Sequence, residues 1–284
     1  MPKHIIGREE VIERIQRLPS SPVILGKVLE TIDDPDSNLN ILDHYIRHDP
    51  VLSARVLSLA NVAASRYGSR SIANLHTAIS FIGINSIREI VLCSSIFNMI
   101  GKSHPDSAAA TFVKHSISVG ICSAEVARDY IKPDLVTAAL ISGLMHDIGQ
   151  LWLYMYDEKS FNEVWNLVLD KGIDIEEAEY EKYGVNHSII GSWLAECWSL
   201  PESICASVLH HHTPDSALNY QLVPVVHVAE ILSNALDLTG RRENRVKHLS
   251  SQACKALGLI WNSDIQTLFC RVDGRSRYAT SLFH

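Results

Sequence analysis

The chain has 284 residues, 46% of them hydrophobic, and a formal net charge of −7. This is enough apolar material for one large core or two smaller ones, and the acidic balance argues against non-specific nucleic-acid binding. No apolar run approaches the ~18 residues of a membrane span. MPKHIIGREE lacks the apolar core of a signal peptide, and the six cysteines form no CxxC, as in a cytoplasmic protein with reduced thiols.

The first hundred residues read as short helices divided by proline, aspartate and glycine. Val11, Ile12, Ile15 and Leu18 share one helical face, and Pro19 stops it. Pro22 opens PVILGKVLETI, and Asn38 is placed to cap NLNILDHYIRH. Asp49-Pro50 opens VLSARVLSLANVAA, with Asp49 as N-cap and Pro50 at the first helical position. Helices over 75–82 and 86–100 follow, with Gly83 and Gly101 as stops. Asp43, His44, His48 and Asp49 read as solvated charge at helix ends, and Arg55 and Arg88 as surface ion pairs.

Pro105-Asp106 begins a long helix in which His115 lies among apolar neighbours at Phe112, Val119 and Cys122. A hydrogen-bonded core histidine is one reading of His115; a partner for His146, brought near by an antiparallel helix, is the other. The central stretch AALISGLMHDIGQ is an apolar helix that ends on His146-Asp147. Ionisable groups are rarely buried without a partner. Imidazole beside carboxylate suits a divalent transition metal. A capping pair, with His146 bonded to a helix-end carbonyl and Asp147 opening the next helix at Ile148, is the competing reading.

LWLYMYDEKSFNEVWNLVLDKG reads as one amphipathic stretch, and DIEEAEYEKYG as a solvated acidic helix or a partner-facing surface. Asn186 caps a helix opened by His187. Pro201 starts PESICASVLHHH, closed by His210, His211 and His212 and stopped by Pro214. LVPVVHVAEILSNAL carries His227 and Glu230, with a buried face for Glu230. Two more helices flank Gly258, with Asn262 as a cap. Arg241, Arg242, Arg245 and Lys247 read as solvated charge, and DGRSRYATSLFH as loose or docked. The whole is an all-α bundle in two packed halves, with sub-domains at 1–103, 104–235 and 236–284.

Several phrases resemble the HDOD domain (HD-related output domain): Leu18-Pro19 with Pro22, Asp34-Pro35, Asp49-Pro50, Leu59-Ala60-Asn61, and Ala78 with Ile82-Gly83. With the C-terminal half, the resemblance spans roughly residues 15–235 and implies an HD-like helical core. The order His115, His146-Asp147, His187, His211-His212, Glu230 is similar to the ligand order of the related HD-GYP metal sites. That resemblance implies one metal on His115, His146, Asp147 and Glu230 and a second on Asp147, His187, His211 and His212, with Asp147 bridging. Two of His210, His211 and His212 would bind; His211 and His212 are preferred because they precede Thr213-Pro214. One or two ions of iron, manganese or zinc are implied, with occupancy falling below about pH 6 as the imidazoles protonate.

The departures from HD-GYP are Gln150, where that family has a lysine expected to contact phosphate, the text TPDSALNYQ in place of its GYP signature, and Glu230, where the pattern has aspartate. The resemblance therefore implies a non-catalytic signal-transduction output module that binds a signalling protein partner or nucleotide-type small ligand in a groove between its halves. The alternative is a metal-dependent phosphohydrolase in which Asp147 bridges the metals and orients the attacking water. Enzymatic activity is left open between the two readings.

Overall fold

Helix ends in this chain are set by a small number of capping side chains and glycines. The computed structural model describes residues 5–15, 56–57, 59–61, 63–64, 72–83, 87, 108–198, 200–239, 248–260 and 264–281. Among these residues every regular element is helical and no strand occurs, in agreement with the all-α reading. In chain order the helices are α1 (Arg8–Ile15), α2 (Leu75–Ile82), α3 (Ala108–Tyr130), α4 (Val136–Met145), α5 (Ile148–Tyr156), α6 (Glu158–Lys171), α7 (Ile175–Tyr183), α8 (His187–Cys197), α9 (Glu202–His210), α10 (Leu222–Ala235), α11 (Ser251–Leu257) and α12 (Asp264–Ser281). None of them is long and apolar enough to cross a membrane.

The chain divides into two units, residues 20–99 and residues 1–19 with 100–282. In the first unit, helical positions between 56 and 64 bury Val56, Ala60 and Ala64 at i, i+4, i+8 spacing. Asn61 ties this helix to the chain that follows. Its Nδ2 donates to the carbonyls of Leu57 (2.9 Å) and Ile72 (2.8 Å), and its Oδ1 accepts from the Ile72 N–H at 2.7 Å. Asn74 then caps α2 by accepting from the Thr77 N–H, and Gly83 ends it at φ 81°. The helices expected from Pro22 and Asn38, the Asp49-Pro50 start, Asp43, His44, His48, Arg55 and Arg88 lie outside the described residues, as do the basic run at 241–247 and Asn262.

The second unit is built on the antiparallel pair α3 and α4, against which α10 packs. Val119, Cys122, Leu140, Ile141, Leu144, Met145, Val225 and Val226 are fully or almost fully buried. Each such aliphatic side chain contributes roughly 1.5–3 kcal/mol. The close approach needs glycine: a Cβ on Gly143 would stand 2.8 Å from the Gly120 Cα and 2.7 Å from the Val119 carbonyl oxygen. α12 also packs on α3, and α1 packs on α8, with the Ile6 N–H donating to the Tyr183 carbonyl at 3.0 Å.

The expected single stretch over 151–172 is two helices. Asp157, at φ −156°, leaves α5 and caps α6 by accepting from the Ser160 N–H, and Gly172 ends α6 in the left-handed region. The DGRSRYATSLFH segment, read as loose or docked, continues α12 as far as Ser281.

Candidate metal centre

The break between α4 and α5 makes the site. His146 follows α4 in helical conformation, and Asp147 turns out of it at φ −102°, ψ 14°. Asp147 stands at the N-cap position of α5, yet its side chain makes no capping hydrogen bond. The capping reading holds in part: the His146 ring bonds the Gly143 carbonyl and Asp147 precedes α5, but the carboxylate does not cap and faces imidazoles instead. A Cβ on Gly149 would sit 2.0 Å from the His187 carbonyl oxygen, so only glycine lets the first turn of α5 lie against the start of α8.

Four histidines surround Asp147, which is 2% exposed. The His115 Nε2 and His146 Nε2 lie 3.6 and 3.4 Å from Oδ2. The His187 Nε2 and His211 Nε2 lie 3.3 and 3.5 Å from Oδ1. Each carboxylate oxygen therefore faces its own pair of imidazoles. His212 joins the second side, with its Nε2 3.1 Å from that of His187. Glu230 approaches from α10, its Oε2 3.6 Å from the His212 Nδ1.

Backbone carbonyls fix the tautomers of two of these rings. The His146 Nδ1–H donates to the Gly143 carbonyl at 2.8 Å, and the His211 Nδ1–H to the Val208 carbonyl at 2.7 Å. In both, Nε2 is left as a buried lone pair aimed into the cluster, without a hydrogen-bond partner. Burial pushes the His146 pKa down against the pull of Asp147. Burial would raise Asp147, but His146, then His187 and His211, outweigh it and hold the carboxyl well below its ordinary range. His187 would be lowered by burial, yet Glu179 and Asp147 raise it well above the usual imidazole value. A coordinating nitrogen must be deprotonated, so His187 would bind a metal by releasing its Nε2 proton.

These donors fit a divalent metal. At 3.3–3.6 Å the His–Asp147 contacts are too long for good hydrogen bonds. Two ligands each about 2.1 Å from a common ion are about 3.0 Å apart at a right angle and about 3.4 Å apart at the tetrahedral angle. The observed separations are close to those polyhedron edges. Among the described residues, three ligand groups have donor atoms within 4.8 Å of one another: His115, His146 and Asp147; Asp147, His187, His211 and His212; and His146, His211 and Glu230.

The sequence carries a further mark beside this geometry. A sequence profile of the HDOD domain matches residues 18–214. The chain belongs to the HDOD family. A curated relative, an uncharacterised protein of Treponema pallidum, is 21% identical over 229 residues; the match takes in 80% of this chain and 44% of the relative, so this chain spans less than half of that protein. Among solved structures, an HDOD domain protein of unknown function from Geobacter sulfurreducens superposes with a TM-score of 0.71 at 24% identity, covering 97% of this chain and 91% of the other. A candidate phosphohydrolase from Shewanella amazonensis gives 0.71 at 23% identity, covering 96% and 98%. A candidate signal transduction protein from Marinobacter aquaeolei gives 0.73 at 20% identity, covering 96% and 61%. These likenesses establish the shared fold.

In this HDOD chain all seven residues picked out in the sequence, His115, His146, Asp147, His187, His211, His212 and Glu230, converge on one buried centre. Their grouping differs at Glu230, which collects with His146 and with His211 of the other implied set, and not with His115 or Asp147. His210 turns away, its Nδ1 3.0 Å from the Ser216 hydroxyl. His227 lies close by but uses both ring nitrogens elsewhere. Its Nδ1–H donates to the His211 carbonyl at 2.8 Å, and its Nε2 accepts from the Ser250 N–H at 3.1 Å. Gln150 is buried in the first turn of α5.

Sequence reasoning missed Glu179. α7 reads as a solvated acidic helix, yet Glu179 is 1% exposed, and its Oε2 accepts both the backbone N–H of His187 (2.8 Å) and the ring Nδ1–H (2.6 Å). A signal existed in Ile175, Ala178 and Tyr183, which with Glu179 give this helix a buried face.

Proposed function

We propose that this HDOD chain is a cytoplasmic signal-transduction module that works by binding and not by turnover, with a divalent-metal cluster that organises its helical core. One observation carries the reading: every ligand candidate is shut in, with side chains 0–7% exposed. A catalytic metal keeps a coordination position open to water and substrate, whereas a structural metal is closed off by protein ligands. Gln150 points the same way, since it offers no cationic group to a phosphate at the position where the resembled hydrolases carry lysine. His115, His146 and Asp147 would hold one ion, and Asp147, His187, His211 and His212 the other, of iron, manganese or zinc. The output would be a signalling protein partner or a nucleotide-type ligand.

A second reading has its own support. The two Asp147 oxygens face separate histidine pairs, the layout of a carboxylate shared by two ions, and paired ions assist phosphoryl-group displacement. Asp147 would then hold the pair together and orient a water, making the chain a phosphohydrolase. The deciding experiment is elemental analysis of untagged protein, followed by a phosphodiester and nucleotide panel with manganese, iron or zinc supplied. The binding reading expects bound metal and no turnover. Turnover that His146→Ala abolishes would replace it with the hydrolase.

A further inference from the structure

The helix that sequence reasoning assigns to solvent is the one that grips the cluster from behind. Two carboxylates one turn apart on α7 hold three consecutive residues at the start of α8. Glu179 takes the backbone N–H and the ring Nδ1–H of His187. The Glu176 Oε1 accepts from the Asn186 amide at 2.8 Å and from the Ser188 hydroxyl at 2.9 Å. Asn186 meanwhile caps α8 through the Ile189 N–H at 3.0 Å. The first residue of α8 is thus bracketed on both sides, and both carboxylates lie at a helix N-terminus, where negative charge is stabilised.

We propose that Glu179 is a positioning residue for the metal centre, the carboxylate that sets the tautomer and orientation of His187 so that its Nε2 is presented to Asp147. Because the carboxylate accepts at Nδ1, the coordinating nitrogen of His187 is Nε2, the atom 3.3 Å from the Asp147 Oδ1. The same hydrogen bond makes that nitrogen a stronger donor to a cation. The other two rings of known tautomer are set differently. His146 and His211 give their Nδ1–H to neutral carbonyls of their own helical turn, three residues back. His187 opens its helix and has no such carbonyl behind it within α8, so a carboxylate from a neighbouring helix serves instead. Glu176 is the lesser partner, holding the flanking residues without touching a ligand. The inference rests on the reading of the cluster as a metal site and assigns one second layer of that site to α7.

The test is zinc binding by full-length protein in competition with a chromophoric chelator, alongside ¹⁵N NMR of the histidine rings in the zinc-loaded state. Carboxylate partners of ligand histidines change metal affinity by about 10–100-fold. Glu179→Gln keeps the shape and removes the charge; it is expected to weaken zinc binding at least about ten-fold and to shift the His187 ring resonances. Glu176→Gln is expected to lose less. Should the Gln variant fail to fold, Glu179→Asp carries the test, because its shorter side chain keeps the charge but cannot reach both donors. Wild-type protein that binds zinc while the Glu179 variants bind it equally well, with His187 resonances unmoved, overturns the inference and leaves the metal reading standing. Wild-type protein that takes up no zinc, iron or manganese overturns both.

Discussion

Two buried carboxylates in the same unit have opposite surroundings. Asp147 is 2% exposed and faces imidazoles. Glu125, on α3, is 1% exposed and faces guanidinium groups. Arg271 of α12 donates from Nε to Glu125 Oε2 at 2.9 Å, and Arg128 and Arg275 pair with Oε1. Arg271 also reaches Asp129 at 2.6 Å. Arginine is always charged and has no lone pair to offer, so the Glu125 cluster is complete as it stands and fastens α12 to α3. The histidines around Asp147 bring lone pairs as well as protons, and at His146 and His211 the inward Nε2 has no hydrogen-bond partner. The contrast teaches that a buried carboxylate marks a site only through what faces it: the Asp147 cluster still wants a cation, and the Glu125 cluster does not.

Breaking that contrast should show most strongly at Asp147. Asp147→Ala is expected to leave less than about one hundredth of the wild-type metal affinity, because both histidine pairs lose their shared partner. Elemental analysis and chelator competition measure this, and circular dichroism should show the helices retained. Metal kept at wild-type levels would mean that Asp147 is not the hub. At Glu125 the expectation is reversed. Glu125→Ala should cost about 2–3 kcal/mol of stability in urea unfolding, less than a fully buried pair because the three arginines are about a third exposed. Metal content should be unchanged, and its loss in this variant would erase the distinction between the clusters.

A pH series sharpens the same point. Burial would raise Glu125, but Arg275, Arg128 and Arg271 outweigh it and hold its pKa below the ordinary carboxylate value. Its contribution to stability is therefore full above about pH 4.5 and is lost as pH falls through the lowered folded value. Metal-free wild-type protein should lose stability below about pH 4.5 more steeply than Glu125→Gln, as followed by thermal melting. Equal slopes would assign the acid sensitivity to other groups. The smallest effect is expected at His210→Ala, whose ring sits by Ser216: metal content should match wild type, whereas His211→Ala should lose metal.

The residues that cluster around Asp147 are picked out through the resemblance to HD-GYP metal sites; local sequence shows only where helix ends carry polar groups. His146-Asp147 at the end of an apolar helix, Asn186 before His187, and histidines before Pro214 each announce a helix end bearing polar groups. The stop expected at Gly83 and the break expected at Gly258 are met by the positive φ that both glycines adopt. What stayed hidden depends on contacts between distant segments. α7 carries glutamates at 176, 177, 179 and 181; only the i, i+3, i+4, i+8 placing with Ile175, Ala178 and Tyr183 separates the buried Glu179 from the half-buried Glu176 and the exposed Glu177 and Glu181. The partition of 151–172 into two helices turns on Asp157 adopting an extended conformation, a residue that also suits a helix surface. Likewise Arg275 reads as tail sequence until α12 brings it to Glu125.

Gly143 and Gly149 contribute no side chain, yet they set how far apart the ligand-bearing helices stand. Anyone grafting this centre onto another helical scaffold would carry over the seven clustered residues and still meet a backbone clash if the recipient had an alanine at either glycine position. An added methyl would press on the Val119 carbonyl and Gly120 Cα, or on the His187 carbonyl, so the α3–α4 and α5–α8 pairs would have to move apart. The transferable set therefore includes Gly-x-x-His-Asp-x-Gly, in which the two residues that hold nothing stand beside the two that would hold the ion.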